Sequence, residues 1–467
     1  MSPWLNILVI VILVSIILME VAENGHPIRT LAWIMVLIFL PVVGLVLYFF
    51  FGRDRKHRRM VSIKDMERLQ TLSERSMEDF VCSEPPVRYR KLITLLHTAG
   101  KVVPVGGNEA RVYTDFRAMY ADLLADLETA RHHIHFQFFK FEDDEFGRRV
   151  EDVLIRKAQE GVEVRLQIDD LANLTRRKFF RRMAKMGVQV RPFLRVRLIL
   201  VSDTNYRNHR KNVVIDGRVG YMGGMNIAKR YAVGIRNGIW RDTHIRVEGP
   251  VVAQMQTAFL VDWKFSTKQL LDNPVYFPKA EPAGNLLMQV AASGPMGEFR
   301  VIMQAILRIF SESRSYVYVQ TPYFIPNEPL GAALRNAALA GVDVRLIIPR
   351  RDDVNFIVTL AARSYITDLL VAGVKVFLYE KGFMHAKTVV SDDSVFSVGS
   401  TNFDIRSFEQ NFEINAFIYD HDMAVRMRKD FLRDQQGCTQ VNPEEWAKRS
   451  RLTRLGESFA RLFSPLL

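Results

Sequence analysis

Two stretches of the chain carry the same polar residues at the same spacing. Each reads His-x-Lys, then an aspartate five residues after the lysine, and then a glycine turn that ends in asparagine. A single copy of such a pattern is weak evidence of function, whereas two copies with identical spacing point to one shared site. The paired residues are His209, Lys211, Asp216, Gly223, Gly224 and Asn226 in the first stretch, and His385, Lys387, Asp392, Gly399, Ser400 and Asn402 in the second.

The spacing predicts that each histidine projects together with its lysine. Valines follow both pairs, at 213–214 and 389–390, and β-branched residues favour strands. On a strand, residues i and i+2 point to the same face. The asparagines follow glycine turns, where the backbone can approach a ligand closely. If the two faces meet, a cleft would hold two imidazoles, two ammonium groups and two amides.

This set of side chains is suited to phosphodiester chemistry. Lys211 and Lys387 can hold the non-bridging phosphate oxygens, and the amides of Asn226 and Asn402 can donate further hydrogen bonds. One imidazole can attack phosphorus while the other protonates the departing alkoxide. The two lysines already stabilise the charge, and no zinc-like ligand spacing appears, so we expect neither a metal nor another cofactor.

Four carboxylates accompany the motifs, and their roles differ. Asp216 and Asp392 each precede a short turn, so capping of that turn is favoured over catalysis, although both roles stay open. Asp242 and Glu413 each precede an apolar segment. A carboxylate bonded to one imidazole nitrogen would fix the tautomer of the ring and raise its basicity. A solvated acid at a strand edge is the alternative for this second pair.

The elements that must position these residues form a duplicated α/β arrangement. Residues 134–137 match 317–320, and residues 187–190 match 373–376. In each copy, short β-branched runs alternate with helical stretches, which is typical of a sheet with helical crossovers. Two copies in one chain predict a pair of α/β lobes related by pseudo-twofold symmetry.

The first fifty residues are far more apolar than the rest. Residues 4–19 form one uncharged run and residues 31–51 form another, and a membrane-spanning helix needs about 20 apolar residues. A basic stretch at 53–59 follows, and such a flank stays cytoplasmic. We therefore expect a two-helix transmembrane hairpin with a cytoplasmic body. A cleaved signal peptide is disfavoured because the basic leading region is missing.

The net charge of the chain limits the classes of molecule that it is expected to bind. The chain of 467 residues carries 64 basic and 51 acidic side chains, a net charge of +13, which favours polyanions such as anionic lipid, nucleic acid or a phosphorylated substrate. Its two cysteines exclude a disulfide scaffold. Near the C-terminus, apolar residues recur at helical spacing. Packing of this amphipathic helix on the body is favoured, and contact with a membrane interface is the alternative.

The duplicated motif resembles the phospholipase D superfamily, whose signature is His-x-Lys-x4-Asp in two copies. Residues 320–326 (Gln-Thr-Pro-Tyr-Phe-Ile-Pro), Phe51-Gly52-Arg53 and the C-terminal Ser-Pro-Leu-Leu further resemble bacterial cardiolipin synthases. The resemblance implies phospholipase D-like lobes at 111–270 and 301–440. Around them it implies a transmembrane hairpin at 1–52, a cytoplasmic connecting segment at 53–110, an inter-lobe connection at 271–300 and a C-terminal amphipathic helix at 441–467.

The resemblance also implies a mechanism. One histidine, by analogy His209, would form a phosphohistidine with the phosphatidyl group of one phosphatidylglycerol, and His385 would act as general acid. A second phosphatidylglycerol would then attack, giving cardiolipin and releasing glycerol. Near-symmetry leaves the assignment of the two histidines open. Asn226, Asn402 and Ser400 would contact the substrate, and Asp242 and Glu413 would orient the histidines.

Other functions share parts of this pattern. A phospholipase D-type hydrolase would use every one of these residues with water as acceptor, and a nucleic-acid phosphodiesterase is compatible with the basic charge but not with the hairpin. We therefore expect phosphatidylglycerol and anionic membrane lipid as partners, no nucleic acid, and a location in the bacterial cell membrane with several spans. A homo-oligomer is left open.

Overall fold

The computed structural model describes residues 3–22, 27–48, 61–195, 206–235, 238–350 and 356–466. These belong to two compact units, one holding the N-terminal helices and the other holding residues 59–194 and 206–467. The second unit, called the body below, contains both copies of the sequence motif.

Three helices form the described part of the N-terminal unit: α1 (Pro3–Ala22), α2 (Pro27–Phe39) and α3 (Pro41–Leu47). The second apolar run, predicted as one helix, is divided at Leu40 because a proline follows, and the residue before a proline avoids helical dihedrals. Leu40 has φ −132° and ψ 63°. A search of the described ranges finds no helix that meets the length and apolarity needed to cross a membrane.

The first half of the body begins with two helices and continues through a β-strand and helix alternation. Its elements are α4 (Ile63–Met77), α5 (Arg90–Gly100), β1 (Val105–Tyr113), α6 (Phe116–Thr129), β2 (His133–Phe138), α7 (Glu145–Gln159), β3 (Glu163–Asp169), α8 (Arg177–Lys185), β4 (Gln189–Phe193), β5 (Arg207–Asn208), β6 (Lys211–Ile215), β7 (Val219–Gly223), α9 (Lys229–Val233), β8 (Ile239–Arg241), β9 (His244–Glu248) and α10 (Val252–Thr267).

The second half repeats the order of the first. Its elements are β10 (Leu286–Ser293), α11 (Val301–Glu312), β11 (Tyr316–Gln320), β12 (Phe324–Ile325), α12 (Glu328–Leu339), β13 (Asp343–Pro349), α13 (Phe356–Val371), β14 (Lys375–Tyr379), β15 (Gly382–Met384), β16 (Thr388–Ser391), β17 (Val395–Gly399), β18 (Phe403–Asp404), α14 (Ile405–Glu409), β19 (Asn411–Tyr419), α15 (His421–Gln435), β20 (Cys438–Gln440), α16 (Pro443–Ala447) and α17 (Arg451–Arg461).

The two halves join edge to edge in one continuous sheet. The strand order is β20-β14-β13-β11-β16-β17-β19-β10-β1-β9-β7-β6-β2-β3-β4. Reading outward from the central antiparallel β1–β10 pair, each half presents an equivalent series, so the predicted pair of pseudo-twofold α/β lobes is confirmed. β10 lies inside the segment 271–300 that the sequence assigned to the connection. The other predicted domain bounds stay predictions.

Helices cover both faces of this sheet, and adjacent strand residues alternate between them. Val213 packs with α6, α7 and α8 in a core that belongs to the first lobe. Its neighbour Val214 packs on the opposite face, in a core shared by α4, α10 and α15 from both halves. In β2, β3 and β4, and likewise in β11, β13 and β14, the strands are parallel, which places their carboxyl ends at one edge. Ligands commonly bind at that edge of such sheets.

The C-terminal region differs from the prediction of one helix packed through its apolar side. Two helices, α16 and α17, replace the single one. The residues of α17 that face the body are Glu457 and Ala460, and the Glu457 carboxylate pairs with Arg449 at 2.6 Å and with Arg363 at 3.1 Å. The apolar side is exposed instead, with solvent-exposed fractions of 81% for Leu452, 66% for Leu455, 62% for Phe459 and 72% for Leu462.

Candidate active site

His209 and Lys211 lie at the start of β6, next to the edge where the parallel strands end. The backbone N–H of His209 donates to the carbonyl oxygen of Phe412, in the opposite lobe, at 2.9 Å. Arg210, between them, sends its guanidinium to Asp262 of α10 at 2.5 Å. Alternation along the strand therefore separates the motif pair from Arg210, and pairing between the lobes fixes where His209 lies.

A carboxylate from the second lobe holds the histidine of the first. Nδ1 of His209 lies 3.1 Å from both carboxylate oxygens of Glu413, and 3.0 Å from the carbonyl oxygen of Ser400. Glu413 is fully buried because β19 is a central strand. With Nδ1 occupied in this way, Nε2 is the nitrogen left to face a substrate.

The reciprocal pair joins the histidine of the second lobe to the first. Nδ1 of His385 lies 2.5 Å from Oδ2 of Asp242, and the backbone N–H of His385 donates to the carbonyl oxygen of Arg241 at 2.7 Å. The short parallel pairing of β15 with β8 brings these segments together. Each predicted orienting carboxylate thus contacts the histidine of the other copy.

Both motif lysines are buried beside their histidines. Nζ of Lys211 donates to the carbonyl oxygen of His209 at 2.6 Å, and Nζ of Lys387 donates to that of His385 at 2.5 Å. Burial lowers the pKa of Lys211 to about 7 and that of Lys387 to about 8, since a low-dielectric environment disfavours the charged form. The charge of each lysine also contributes to lowering the pKa of the histidines, so all four groups share one electrostatic environment.

The pKa values of both imidazoles and of both carboxylates are lowered from their ordinary values. Burial, and then the charge of Lys387, lower the pKa of His385 to about 3, and burial lowers the pKa of His209 as well. Burial opposes ionisation of Asp242 and Glu413, yet their lysine and histidine neighbours bring both pKa values below the ordinary range. Burial therefore favours the neutral form of both imidazoles, and the neighbouring cations favour the ionised form of both carboxylates.

The two motif asparagines have different hydrogen-bond partners. The side-chain oxygen of Asn226 accepts from the backbone N–H of Lys140 at 3.0 Å, and its amide donates to the Tyr231 hydroxyl at 2.7 Å. The amide of Asn402 donates to Asp404 at 3.1 Å, while its side-chain oxygen is buried without a hydrogen-bond partner. The two lobes are therefore equivalent in sequence pattern but not in hydrogen bonding.

The Ser400 side chain contacts Glu413 and the backbone of Ile414. Its hydroxyl donates to Glu413 at 2.5 Å and accepts from the backbone N–H of Ile414 at 3.0 Å. This bonding places Ser400 beside the carboxylate that holds His209, and its contact with substrate stays a prediction. At the equivalent position a Cβ added to Gly224 would lie 2.0 Å from Oδ1 of Asp242. The first lobe needs glycine there because the carboxylate occupies that space.

Asp216 and Asp392 lie at the far ends of their strands, away from the histidines. The carboxylate of Asp216 accepts three backbone N–H groups from residues 131–133, each at 2.8 Å. Asp392 does the same for residues 314–316, at 2.8–2.9 Å. Both residues have a positive φ, 52° and 53°. They join a turn to the start of a neighbouring strand, as capping residues do, and a catalytic role for either one stays a prediction.

Aromatic side chains that the sequence pattern did not single out line the site. Phe139 lies 4.8 Å from the His209 ring and Trp240 lies 5.0 Å from the His385 ring, measured between centroids. Phe139 directly follows β2 at the edge where ligands bind, which is a positional signal. Trp240 offers no comparable signal, because β8 is only three residues long.

Comparisons with known proteins agree with this architecture. The family profile described as "Cardiolipin synthase, PLD-like domain" matches residues 123–263 and 306–435, and the profile "Phospholipase_D-nuclease N-terminal" matches residues 7–53. The chain is 38% identical to a cardiolipin synthase of Oceanobacillus iheyensis, covering 99% of this chain and 98% of the relative. It is also 38% identical to the major cardiolipin synthase ClsA of Bacillus subtilis, covering 99% and 97%.

A solved structure shares the fold at low sequence identity. The crystal structure of a phosphatidylserine synthase from Haemophilus influenzae superposes with a TM-score of 0.60 at 15% identity, covering 81% of this chain and 99% of that one.

Proposed function

Because the chain belongs to the cardiolipin synthase family of phospholipase D-like enzymes, we propose that it joins two phosphatidylglycerol molecules into cardiolipin and glycerol. The observation that carries this proposal is the reciprocal pairing of His209 with Glu413 and of His385 with Asp242, beside two buried lysines. Two imidazoles, each oriented through Nδ1 by a carboxylate, supply the nucleophile and the proton donor that phosphodiester transfer needs.

In the first half of the reaction, Nε2 of His209 attacks phosphorus and the bond from phosphorus to the glycerol headgroup oxygen breaks. His385 transfers a proton from Nε2 to that oxygen, so glycerol leaves neutral. The bound phosphodiester is an anion, and a nearby negative charge raises the pKa of both lysines and of His385. Substrate binding thus supplies the protonation state that the first step requires. Lys211 and Lys387 hold the non-bridging oxygens while charge develops on them.

In the second half, the acceptor alcohol takes the place of the glycerol that left. Its hydroxyl proton passes to the neutral His385 as its oxygen attacks phosphorus, and the phosphorus–nitrogen bond to His209 breaks. The enzyme returns to its starting state, with the proton on His385 available for the next cycle. The side-chain oxygen of Asn402 is buried without a partner, and we propose that it accepts a hydrogen bond from the hydroxyl of the incoming alcohol.

The test is an analysis of products from full-length protein in detergent–phosphatidylglycerol micelles, with lipid and released glycerol measured together by mass spectrometry. We expect one glycerol for each cardiolipin formed. Phosphatidic acid as the main lipid product would make the protein a hydrolase, because water would then be the acceptor. No conversion of phosphatidylglycerol at all would refute the proposal.

We further propose that the protein resides in the bacterial cell membrane, with residues 1–52 as the anchor. The uncharged runs at 4–19 and 31–51 support this location, as does the exposed apolar side of α17, defined by Leu452, Leu455, Phe459 and Leu462. Arginines at 451, 454 and 461 on the same helix would attract anionic lipid, each by about 1 kcal/mol.

Single-cysteine labelling in cells tests this arrangement. With the native cysteines replaced, a thiol at residue 25 should react with a membrane-impermeant reagent from outside, and a thiol at residue 60 should react only after lysis. Reaction of both thiols from outside would exclude a cytoplasmic body.

A further inference from the structure

A group of three cations lies beside the catalytic residues of the first lobe. Lys140, Arg176 and Arg230 converge on one oxygen of Glu142, with nitrogen-to-oxygen distances of 3.1, 3.4 and 2.7 Å. Three positive charges on one carboxylate leave a local excess of two. We call these four residues the basic cluster.

The basic cluster is built into the wall of the active site. The backbone N–H of Lys140 donates to the side-chain oxygen of Asn226 at 3.0 Å, and the backbone N–H of Glu142 donates to the carbonyl oxygen of Ile227 at 2.9 Å. The guanidinium of Arg230 lies 5.8 Å from the Trp240 ring, and that ring lies 5.0 Å from His385. One indole therefore separates the cluster from the imidazole assigned to proton transfer.

The side chains of the cluster are partly exposed, so a ligand can reach them. Their exposed fractions are 27% for Lys140, 22% for Arg176, 33% for Arg230 and 20% for Glu142. Burial and the charge of Arg230 lower the pKa of Lys140. An added anion would relieve this repulsion between cations, and it would be attracted more strongly here than at the fully exposed surface.

Among the residues that the structure describes, the second lobe has no counterpart of the Lys140–Glu142 pair. In the first lobe the backbone of Phe141 forms a parallel β-bridge with Ile227. In the second lobe Phe324 forms the equivalent parallel pairing with Phe403. By this register Lys140 corresponds to Tyr323, and Glu142 corresponds to Ile325. Lys140 and Glu142 are therefore differences between the lobes. Lys140 adds a positive charge to the first lobe near Arg230, whose guanidinium lies against the Trp240 ring beside His385.

We propose that the basic cluster binds the phosphate of the acceptor lipid, the one that is not attacked. This inference rests on the proposed transfer. The acceptor hydroxyl must reach His385, and in phosphatidylglycerol a phosphodiester lies one glycerol bridge away from that hydroxyl. Charge-assisted hydrogen bonds from Lys140, Arg176 and Arg230 to this second phosphate would hold the alcohol in place. The cluster then selects phosphate-bearing alcohols over water and free glycerol.

Two reactions of the same enzyme separate this role from general catalysis. Cardiolipin formation uses the acceptor phosphate, whereas exchange of labelled free glycerol into phosphatidylglycerol does not, and both pass through the same covalent intermediate. We expect Lys140→Gln with Arg230→Gln to lower the ratio of cardiolipin formation to glycerol exchange roughly tenfold or more, as loss of charged hydrogen bonds implies. Arg148→Gln, which removes an exposed ion pair with Asp143, is the matched control and should leave the ratio unchanged.

The outcomes distinguish this inference from the proposed function. Equal losses in both reactions, or no loss in either, would overturn the acceptor site while leaving the transfer intact. Absence of both reactions in the unmodified protein would remove the proposed function itself. The substituted protein could fail to fold, so a second measurement uses the unmodified protein. With it, glycerophosphoglycerol should serve as a soluble acceptor at lower concentration than glycerol. Equal use of the two alcohols would overturn the inference.

Discussion

His209 and His385 have similar surroundings, but we propose different roles for them. Substrates whose leaving groups differ in their need for a proton can distinguish these roles. A departing glycerol oxygen needs a proton, whereas p-nitrophenolate leaves without one. With a p-nitrophenyl phosphodiester, we expect His385→Ala to release nitrophenol and to retain a covalent phosphoryl group. His209→Ala should do neither. With phosphatidylglycerol, both variants should lose on the order of 10²–10⁴-fold in rate or more.

Intact-protein mass spectrometry after acid-free quenching measures the covalent intermediate directly. Labelling of the His209→Ala protein, with none on His385→Ala, would reverse the assignment of the nucleophile. Full phosphatidylglycerol turnover by either variant would contradict the two-histidine mechanism.

The buried lysines predict a pH dependence with a definite sign. The pKa values of about 7 for Lys211 and about 8 for Lys387 belong to the empty site, and kcat/KM reports groups of the free enzyme. As pH rises through these values the lysines lose the charge that binds phosphate. We therefore expect kcat/KM to fall above about pH 8, well below the ordinary lysine value of about 10.4. A profile that stays flat to about pH 10 would contradict the depressed values.

Among the elements, the turn after β6 contributes to stability, whereas the segment between β8 and β9 contributes to catalysis. Asp216 accepts from three backbone N–H groups in exposed or half-buried hydrogen bonds, and hydrogen bonds to a charged group contribute about 1.5–3 kcal/mol. We expect Asp216→Ala to lower the free energy of unfolding by that amount, while the folded fraction keeps its turnover. Asp242→Asn should do the reverse, with turnover lost and stability nearly kept. Chemical denaturation and initial rates on the same samples measure both quantities.

The glycine turn that ends β7 gives a second prediction at this scale. A Cβ at Gly224 would lie 2.0 Å from a carboxylate oxygen of Asp242, so Gly224→Ala must displace the group that orients His385. The equivalent Ser400 already carries a Cβ, and Ser400→Ala removes only its hydrogen bond to Glu413. We expect the glycine variant to lose far more turnover than the serine variant, measured as kcat at equal folded concentration. Little loss of turnover in the glycine variant would show that Asp242 can move without consequence.

The sequence pattern was enough to predict the positions of the motif residues, because those positions depend on neighbours in the sequence. The i, i+2 alternation placed His209 with Lys211, and repeated spacing indicated two equivalent lobes. The exposed face of α17 was missed because periodicity shows that a helix has an apolar side but not which side meets the body. Buried Glu457, held by Arg449 and Arg363, decided that orientation through contacts the pattern does not encode.

At the scale of the whole molecule, the active site exists only because the halves exchange residues. His209 and Glu413 are 204 positions apart, and His385 and Asp242 are 143 apart. Spacing within one copy carries no information about such contacts, so the sequence identified the carboxylates without showing which histidine each one serves. Strand pairing of β5 with β19 and of β15 with β8 determines the crossing.

Each carboxylate contacts the histidine of the other copy. This arrangement predicts effects of carboxylate substitutions opposite to those expected if each carboxylate contacted the histidine of its own copy. Glu413 holds the nucleophile from the other lobe, so Glu413→Gln should slow formation of the phosphohistidine on His209 even with a p-nitrophenyl substrate. Asp242 serves proton transfer, so Asp242→Asn should spare that step and impair only reactions with an unactivated alcohol as leaving group. Rapid-quench measurement of the covalent fraction separates the two, with Asp216→Asn as a carboxylate control outside the cleft. Should Asp242→Asn block labelling of His209 while Glu413→Gln permits it, each carboxylate would act on the histidine of its own copy, and the proposed exchange between lobes would be wrong.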